Sequence, residues 1–92
     1  MRFEWDAVKN RTNLRDHKID FVDVPPVFDG PMLVELDDRE DYGEDRCIGI
    51  GLLRNIAVVV VFTEPQHDTI RIVSVRKANK HERIRYEQAL EN

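Results

Sequence analysis

The chain has a single cysteine, Cys47. No internal disulfide framework can staple it, and one thiol fits a reducing compartment, so a cytoplasmic location is expected. The longest apolar run, residues 56–62, is far shorter than the about 20 residues a membrane-spanning helix needs. Residues 1–6 are charged and have no apolar stretch of the kind that marks a secretory signal. Internal repeats, low-complexity tracts and Gly/Ser linkers are all missing. Aromatics make up 8% of residues and do not interleave with the basic ones, which argues against a stand-alone RNA-binding domain with a stacking platform. What remains is one soluble domain over 1–92, with 41% hydrophobic and 35% charged residues.

The net charge of −4 hides a segregation. Between Asp29 and Asp45, eight acids face one Arg39. Between Arg71 and Arg85, six bases face one Glu82. Lys9, Arg11, Arg15 and Lys18 against Asp16 add a second basic stretch. The basic C-terminal third can attract phosphates or an acidic protein surface.

Patterning predicts an α+β domain. Residues 1–5 alternate as a short strand. Asp6 caps a helix to about residue 17, and Asp20 caps a second helix that Pro25-Pro26 should end early. After a turn at 29–31, strands are expected at 32–36, 46–53, 56–62 and 69–75, forming a mainly antiparallel sheet. Arg54-Asn55 reads as a hairpin turn and 64–68 as a loop. In 46–53 the glycines Gly49 and Gly51 leave one face shallow, open to close approach. In 69–75 plain alternation puts Ile70, Ile72, Ser74 and Arg76 on one face, and Arg71, Val73 and Val75 on the other. Asn79 and Glu82 form a capping box for a last helix to about residue 90.

No metal is expected, because His17, His67 and His81 are isolated and Cys47 has no partner at ligand spacing. No nucleotide cofactor is expected either, since Gly49-Ile50-Gly51 lacks the other residues of a phosphate-binding loop. Ser74 beside Arg76 is the most suggestive pair, because a hydroxyl and a planar guanidinium can share one phosphate. A serine there serves equally well as a backbone-bonded spacer. Tyr86 and Glu87 near Arg83 read first as helix packing and a surface pair. Lys9 and His17 read first as solvated, although a histidine suits acid–base chemistry.

Glu4-Trp5-Asp6 followed by Lys9, Asn13, His17 and Phe21 resembles the opening of the BrnT toxin family. Val27-Phe28-Asp29, Gly43-Glu44-Asp45-Arg46, Ile48-Gly49 and the run from Val58 to Glu64 continue the likeness in order. Its most specific part is Ile70-Arg71-Ile72-Val73-Ser74-Val75-Arg76-Lys77-Ala78, completed by Glu82, Arg83, Tyr86 and Glu87. Val75 stands where an alanine is usual, and Lys18 where a glycine commonly follows the histidine.

The resemblance implies a RelE-like α+β fold, with N-terminal helices and a C-terminal helix packed on the sheet. It also implies the toxin half of a type II toxin–antitoxin pair, an endoribonuclease that inhibits translation by cleaving RNA. The implied partner is a ribbon-helix-helix (BrnA-like) antitoxin in a 2:2 heterotetramer, with operator DNA met only through the antitoxin. A metal-independent reaction would use the 2′-hydroxyl as nucleophile, leaving a 2′,3′-cyclic phosphate. The catalytic candidates are Ser74, Arg76, Arg83, Lys9, Glu64 and His17, with Arg71, Lys77, Lys80 and Tyr86 as substrate-binding candidates. The competing reading is a non-catalytic antitoxin-binding module acting as a co-repressor.

Overall fold

The computed structural model describes residues 1–39, 41 and 43–91; Glu40 of the acidic stretch lies outside them. The elements are β1 (Arg2–Trp5), α1 (Ala7–His17), two short 3-10 turns (Phe21–Asp23 and Pro25–Asp29), β2 (Leu33–Asp37), β3 (Arg46–Leu53), β4 (Ile56–Gln66), β5 (Thr69–Lys77) and α2 (Lys80–Glu91). The Asp6 carboxylate starts α1 by accepting from the Val8 and Lys9 amides. At the other end Lys18 takes a left-handed conformation, φ 63°, which is why a glycine suits that position. The expected second helix is reduced to one 3-10 turn, Phe21–Asp23, with Asp20 as its cap, accepting from the Val22 amide. Pro25 and Pro26 occupy the first positions of a new 3-10 turn, where a missing amide hydrogen costs little.

Five strands form one sheet in the order β1-β5-β4-β3-β2. β1 runs parallel to β5, and every other pair is antiparallel. Arg54 and Asn55 both have positive φ, as a two-residue hairpin requires. The expected 64–68 loop is mostly strand: β4 runs to Gln66, and only His67 and Asp68 turn the chain. Pro65 is tolerated because the ladder is irregular between Thr63 and Gln66.

One sheet face carries the core. Ile19, Phe21, Val24 and Val27 pack on Val58, Val60, Phe62, Ile70, Ile72 and Val75. A Cβ at Gly49 would stand 2.6 Å from Met32, and one at Gly51 2.6 Å from Val27. The shallow strand face therefore admits the segment running from the 3-10 turns into β2. The other face is thinly covered. Of α2 only Tyr86 is buried, seated on Ile50 and Val59, with its hydroxyl donating to the Pro31 carbonyl at 2.9 Å.

A bulge corrects the expected alternation of β5. Val61 pairs with Ser74 but Phe62 pairs with Ile72, so Val73 is an extra residue. The phase flips there. Ile70, Ile72 and Val75 all reach the core, while Arg71, Ser74 and Arg76 belong to the α2 face.

α1 is fastened by two asparagines. Asn10 donates to Asp20 and accepts from the Phe21 amide. Asn13 is buried; its Nδ2 donates to the Ile19 carbonyl and its Oδ1 accepts from the Val75 amide, both at 3.0 Å. Replacing Asn13 with alanine leaves a buried carbonyl and a buried amide without partners, so a loss of about 2–3 kcal/mol is expected. Urea denaturation of Asn13→Ala against the parent chain measures it; a change below about 0.5 kcal/mol would show that water or a shifted backbone takes over both bonds.

Candidate active site

β1 covers the edge of β5 only as far as Ile72, opposite Trp5. Beyond that point no strand among the described residues pairs with β5 on this side, and α1 lies there instead. Three adjoining hollows gather around this stretch. One of about 310 Å³ is lined by Lys9, Thr12 and His17 of α1 together with Val73 and Ser74. A second, of about 440 Å³, has His17 and Lys18 on one side and Arg76 and Lys77 on the other. The third, about 310 Å³, lies on the α2 face and includes Ser74, Arg76, Glu82 and Arg85. Ser74 and Arg76 thus belong to hollows on both sides of the strand.

Strand register orders the third hollow into rows. Leu33, Ile50, Val59 and Arg76 form one row across β2, β3, β4 and β5, beneath Tyr86. Glu35, Ile48, Val61 and Ser74 form the next. Asp37 and Arg46 pair across β2 and β3 in a third row, and Thr63 pairs with Arg71 across β4 and β5. The middle row is therefore apolar at its centre and polar at both ends.

Each guanidinium around this hollow meets a carboxylate. Arg76 forks onto Glu82 with two bonds of 2.8 Å, while 44% of its side chain stays exposed. Glu82 also closes the capping box, accepting from the Asn79 amide while its own amide donates to Asn79. The Arg76 fork, aided by the Asn79 amide and opposed by burial, lowers the Glu82 carboxyl from 4.5 to about 2. The same bond raises Arg76. Arg39 forks onto the buried carboxylate of Asp37, and Arg85 meets Glu35.

The structure thus brings together Lys9, His17, Ser74, Arg76 and Lys77 of the sequence candidates. Others fall elsewhere. Arg71 lies on the same sheet face as Ser74 and Arg76, not the opposite one; what sets it apart is its ion pair with Glu4 at 2.7 Å and its place in a separate hollow. Glu64 is exposed on the extended end of β4, and Arg83 and Lys80 are exposed on α2; none of them lines a described hollow. Tyr86 is 2% exposed with its hydroxyl engaged, so it holds α2 down and presents no surface to a substrate. Glu35, Arg39, Glu82 and Arg85 were not legible as site residues, although Arg85 lies one position from Tyr86 on the helix side that meets the sheet. Among the described residues no group of three or more His, Cys, Asp or Glu could hold a metal ion, and no helix is long and apolar enough to cross a membrane.

The family described as the ribonuclease toxin BrnT of type II toxin–antitoxin systems matches residues 5–82. A solved structure with a similar fold is the 1.1 Å crystal structure of the Brucella abortus ribonuclease toxin BrnT. It is 26% identical, with a TM-score of 0.69, and the alignment covers 87% of this chain and 99% of that one. No curated protein matches.

The Glu82 tie has a pH signature. A carboxylate whose folded pKa is depressed contributes stability above its unfolded pKa and loses it as pH falls through the folded value. Relative to Glu82→Gln, the parent chain is expected to hold its full advantage above about pH 4.5 and lose it progressively towards pH 2. Thermal melts of both chains from pH 7 to pH 2 check this; a constant difference across that range would place the stabilisation outside the ion pair.

Proposed function

Because this chain belongs to the BrnT family of ribonuclease toxins of type II toxin–antitoxin systems, we propose that it is a metal-independent endoribonuclease whose cleavage centre is the strand-free edge of β5. The observation that carries the reading is the convergence of Ser74, Arg76, Lys9 and His17 on hollows that share that edge. In the proposed reaction the 2′-oxygen of the substrate bonds to the adjacent phosphorus and the bond to the 5′-oxygen breaks. The products are a 2′,3′-cyclic phosphate and a 5′-hydroxyl.

Charge builds on the non-bridging oxygens as the reaction proceeds, and Arg76 with the Ser74 hydroxyl offers fixed donors to them. Arg76 is aimed before substrate arrives, because Glu82 holds its guanidinium plane. Lys9 adds a positive charge from α1. His17 takes the 2′-hydroxyl proton and water protonates the departing 5′-oxygen; His17 is preferred to Glu64 because it shares hollows with both Ser74 and Arg76. Lys77 lies beside His17 and suits a flanking phosphate.

The remaining features follow the family reading. RNA cleavage inhibits translation in the cytoplasm, and a ribbon-helix-helix antitoxin of the BrnA type neutralises the toxin in a 2:2 complex, through which the pair meets operator DNA. The competing reading is a co-repressor without catalysis. It is favoured by one observation: Arg39, Arg76 and Arg85 are all matched by carboxylates in the free chain.

Purified chain is expected to cut single-stranded RNA in excess EDTA, and expression without antitoxin is expected to arrest growth. Arg76→Ala should lower cleavage by about 10²–10³-fold, the usual cost of one transition-state donor. Arg76→Lys, which keeps a charge opposite Glu82 but loses the fork, should remain folded and still be strongly impaired. Undiminished cutting by both variants would remove Arg76 from the mechanism. Loss of cutting in EDTA would mean that a metal takes part.

A further inference from the structure

The middle row of the α2 face, Glu35–Ile48–Val61–Ser74, is built unlike its neighbour. In the adjoining row Ile50 and Val59 are buried under Tyr86. Ile48 and Val61 sit side by side and only half-buried, at the bottom of a hollow of about 310 Å³. Two bare aliphatic side chains inside a rim of guanidiniums and carboxylates form an apolar floor with polar walls, the usual make-up of a small-molecule site. A flat ring with hydrogen-bonding edges suits such a floor.

The ends of the row supply the rest. Ser74 and Arg76 form the phosphate end in the proposed reaction, on which this inference rests. Glu35 lies three interstrand steps away, on the order of 14 Å between backbones. Once both side chains have reached inward, that gap is the span of one nucleotide. At the far end a carboxylate, which only accepts, meets the guanidinium of Arg85, which only donates. Among the four RNA bases only guanine presents two adjacent N–H donors followed by an acceptor on a single edge. Adenine, cytosine and uracil each lack the second adjacent donor.

We infer that this hollow binds the guanine base of the nucleotide next to the scissile phosphate, with Ile48 and Val61 as its floor, Glu35 accepting from N1–H and N2–H, and Arg85 donating to O6. Glu35 is then a specificity-determining residue with no part in the chemical step.

The test is titration calorimetry of the full-length chain, in EDTA, with the 3′-monophosphates of guanosine, adenosine, cytidine and uridine, and with inorganic phosphate. Methyl NMR shifts of Ile48 and Val61 report where each ligand sits. Guanosine monophosphate should bind at least 10-fold tighter than the other three, and it alone should move both methyl sets strongly. Glu35→Gln, an isosteric change at an exposed position, should erase that preference while leaving phosphate affinity unchanged. Cleavage mapping should place a guanine beside the cut bond. Equal affinities for the four nucleotides, or an unchanged preference in Glu35→Gln, would overturn the inference. If RNA were still cut under either result, the ribonuclease reading would stand without the guanine site. If no nucleotide bound and no RNA were cut, both would fall. The wild-type comparison does not depend on any variant folding.

Discussion

The structure depends on how one strand edge is finished. β5 is longer than its partner β1, so past Ile72 it exposes backbone groups that in most sheets would pair with another strand or invite aggregation. Here a side chain closes the edge: the Asn13 carboxamide oxygen accepts from the Val75 amide, and its nitrogen donates to the Ile19 carbonyl. A helix stapled by one amide covers less of the edge than a sixth strand would. The space left over is the set of hollows lined by Lys9, His17, Ser74 and Arg76. The Val73 bulge acts with it, turning Ser74 and Arg76 off the core face while keeping Val75 on it. Edge and bulge together make this part of the sheet a place where side chains from both faces meet.

The three guanidinium–carboxylate pairs differ in what it takes to open them. Asp37 has a side chain only 1% exposed, so its fork with Arg39 is shielded from water at the carboxylate end and costly to open. Glu82 is 19% exposed and also bound to the Asn79 amide, so its hold on Arg76 is part of how α2 begins. Glu35 is 53% exposed and sits opposite a half-exposed Arg85. Pairs of that kind are worth about 0–1 kcal/mol. Arg39 and Arg76 are therefore held in place, ready for the anion of the proposed reaction, while the Glu35–Arg85 pair can trade its mutual bond for a ligand at little cost. This ranking comes from burial, and it assigns positioning to one end of the groove and recognition to the other.

Much of the fold was legible because it rests on local signals. Asp6, the Arg54-Asn55 turn, the Asn79–Glu82 box and the apolar run of β4 each declare themselves within a few residues. What stayed hidden was set by partners far away in sequence. The Val73 bulge exists only relative to β4, so simple alternation put Ser74 and Arg76 on the face of Ile70 and Ile72, and Val75 off it. Pro65 marked a loop by composition, yet an irregular ladder accommodates it inside a strand. At the site, Ser74, Arg76, Lys9 and His17 could be named but not placed. Glu35 and Arg85, fifty residues apart, could be joined only by the register of β2 across the sheet and the docking of α2 through Tyr86.

The charge pattern explains why the receptive part of the β5 edge lies at one end. Near its start, the hollow that holds Arg71 also contains Glu4, Asp6 and Glu44, so acids there outnumber Arg71 and Lys9. Towards its end, the hollow lined by Arg76, Lys77 and Lys18 has Asp16 against them and Glu82 paired to Arg76, so cations there still outnumber acids. At physiological ionic strength a charge is felt over about 8 Å, so a phosphate responds to these local balances and not to the net charge of −4. Under the proposed reaction, an RNA strand approaching this acidic protein would be turned away near Arg71 and drawn in beside Arg76. The residue proposed to clamp a phosphate is then also the one whose surroundings would let a phosphate arrive.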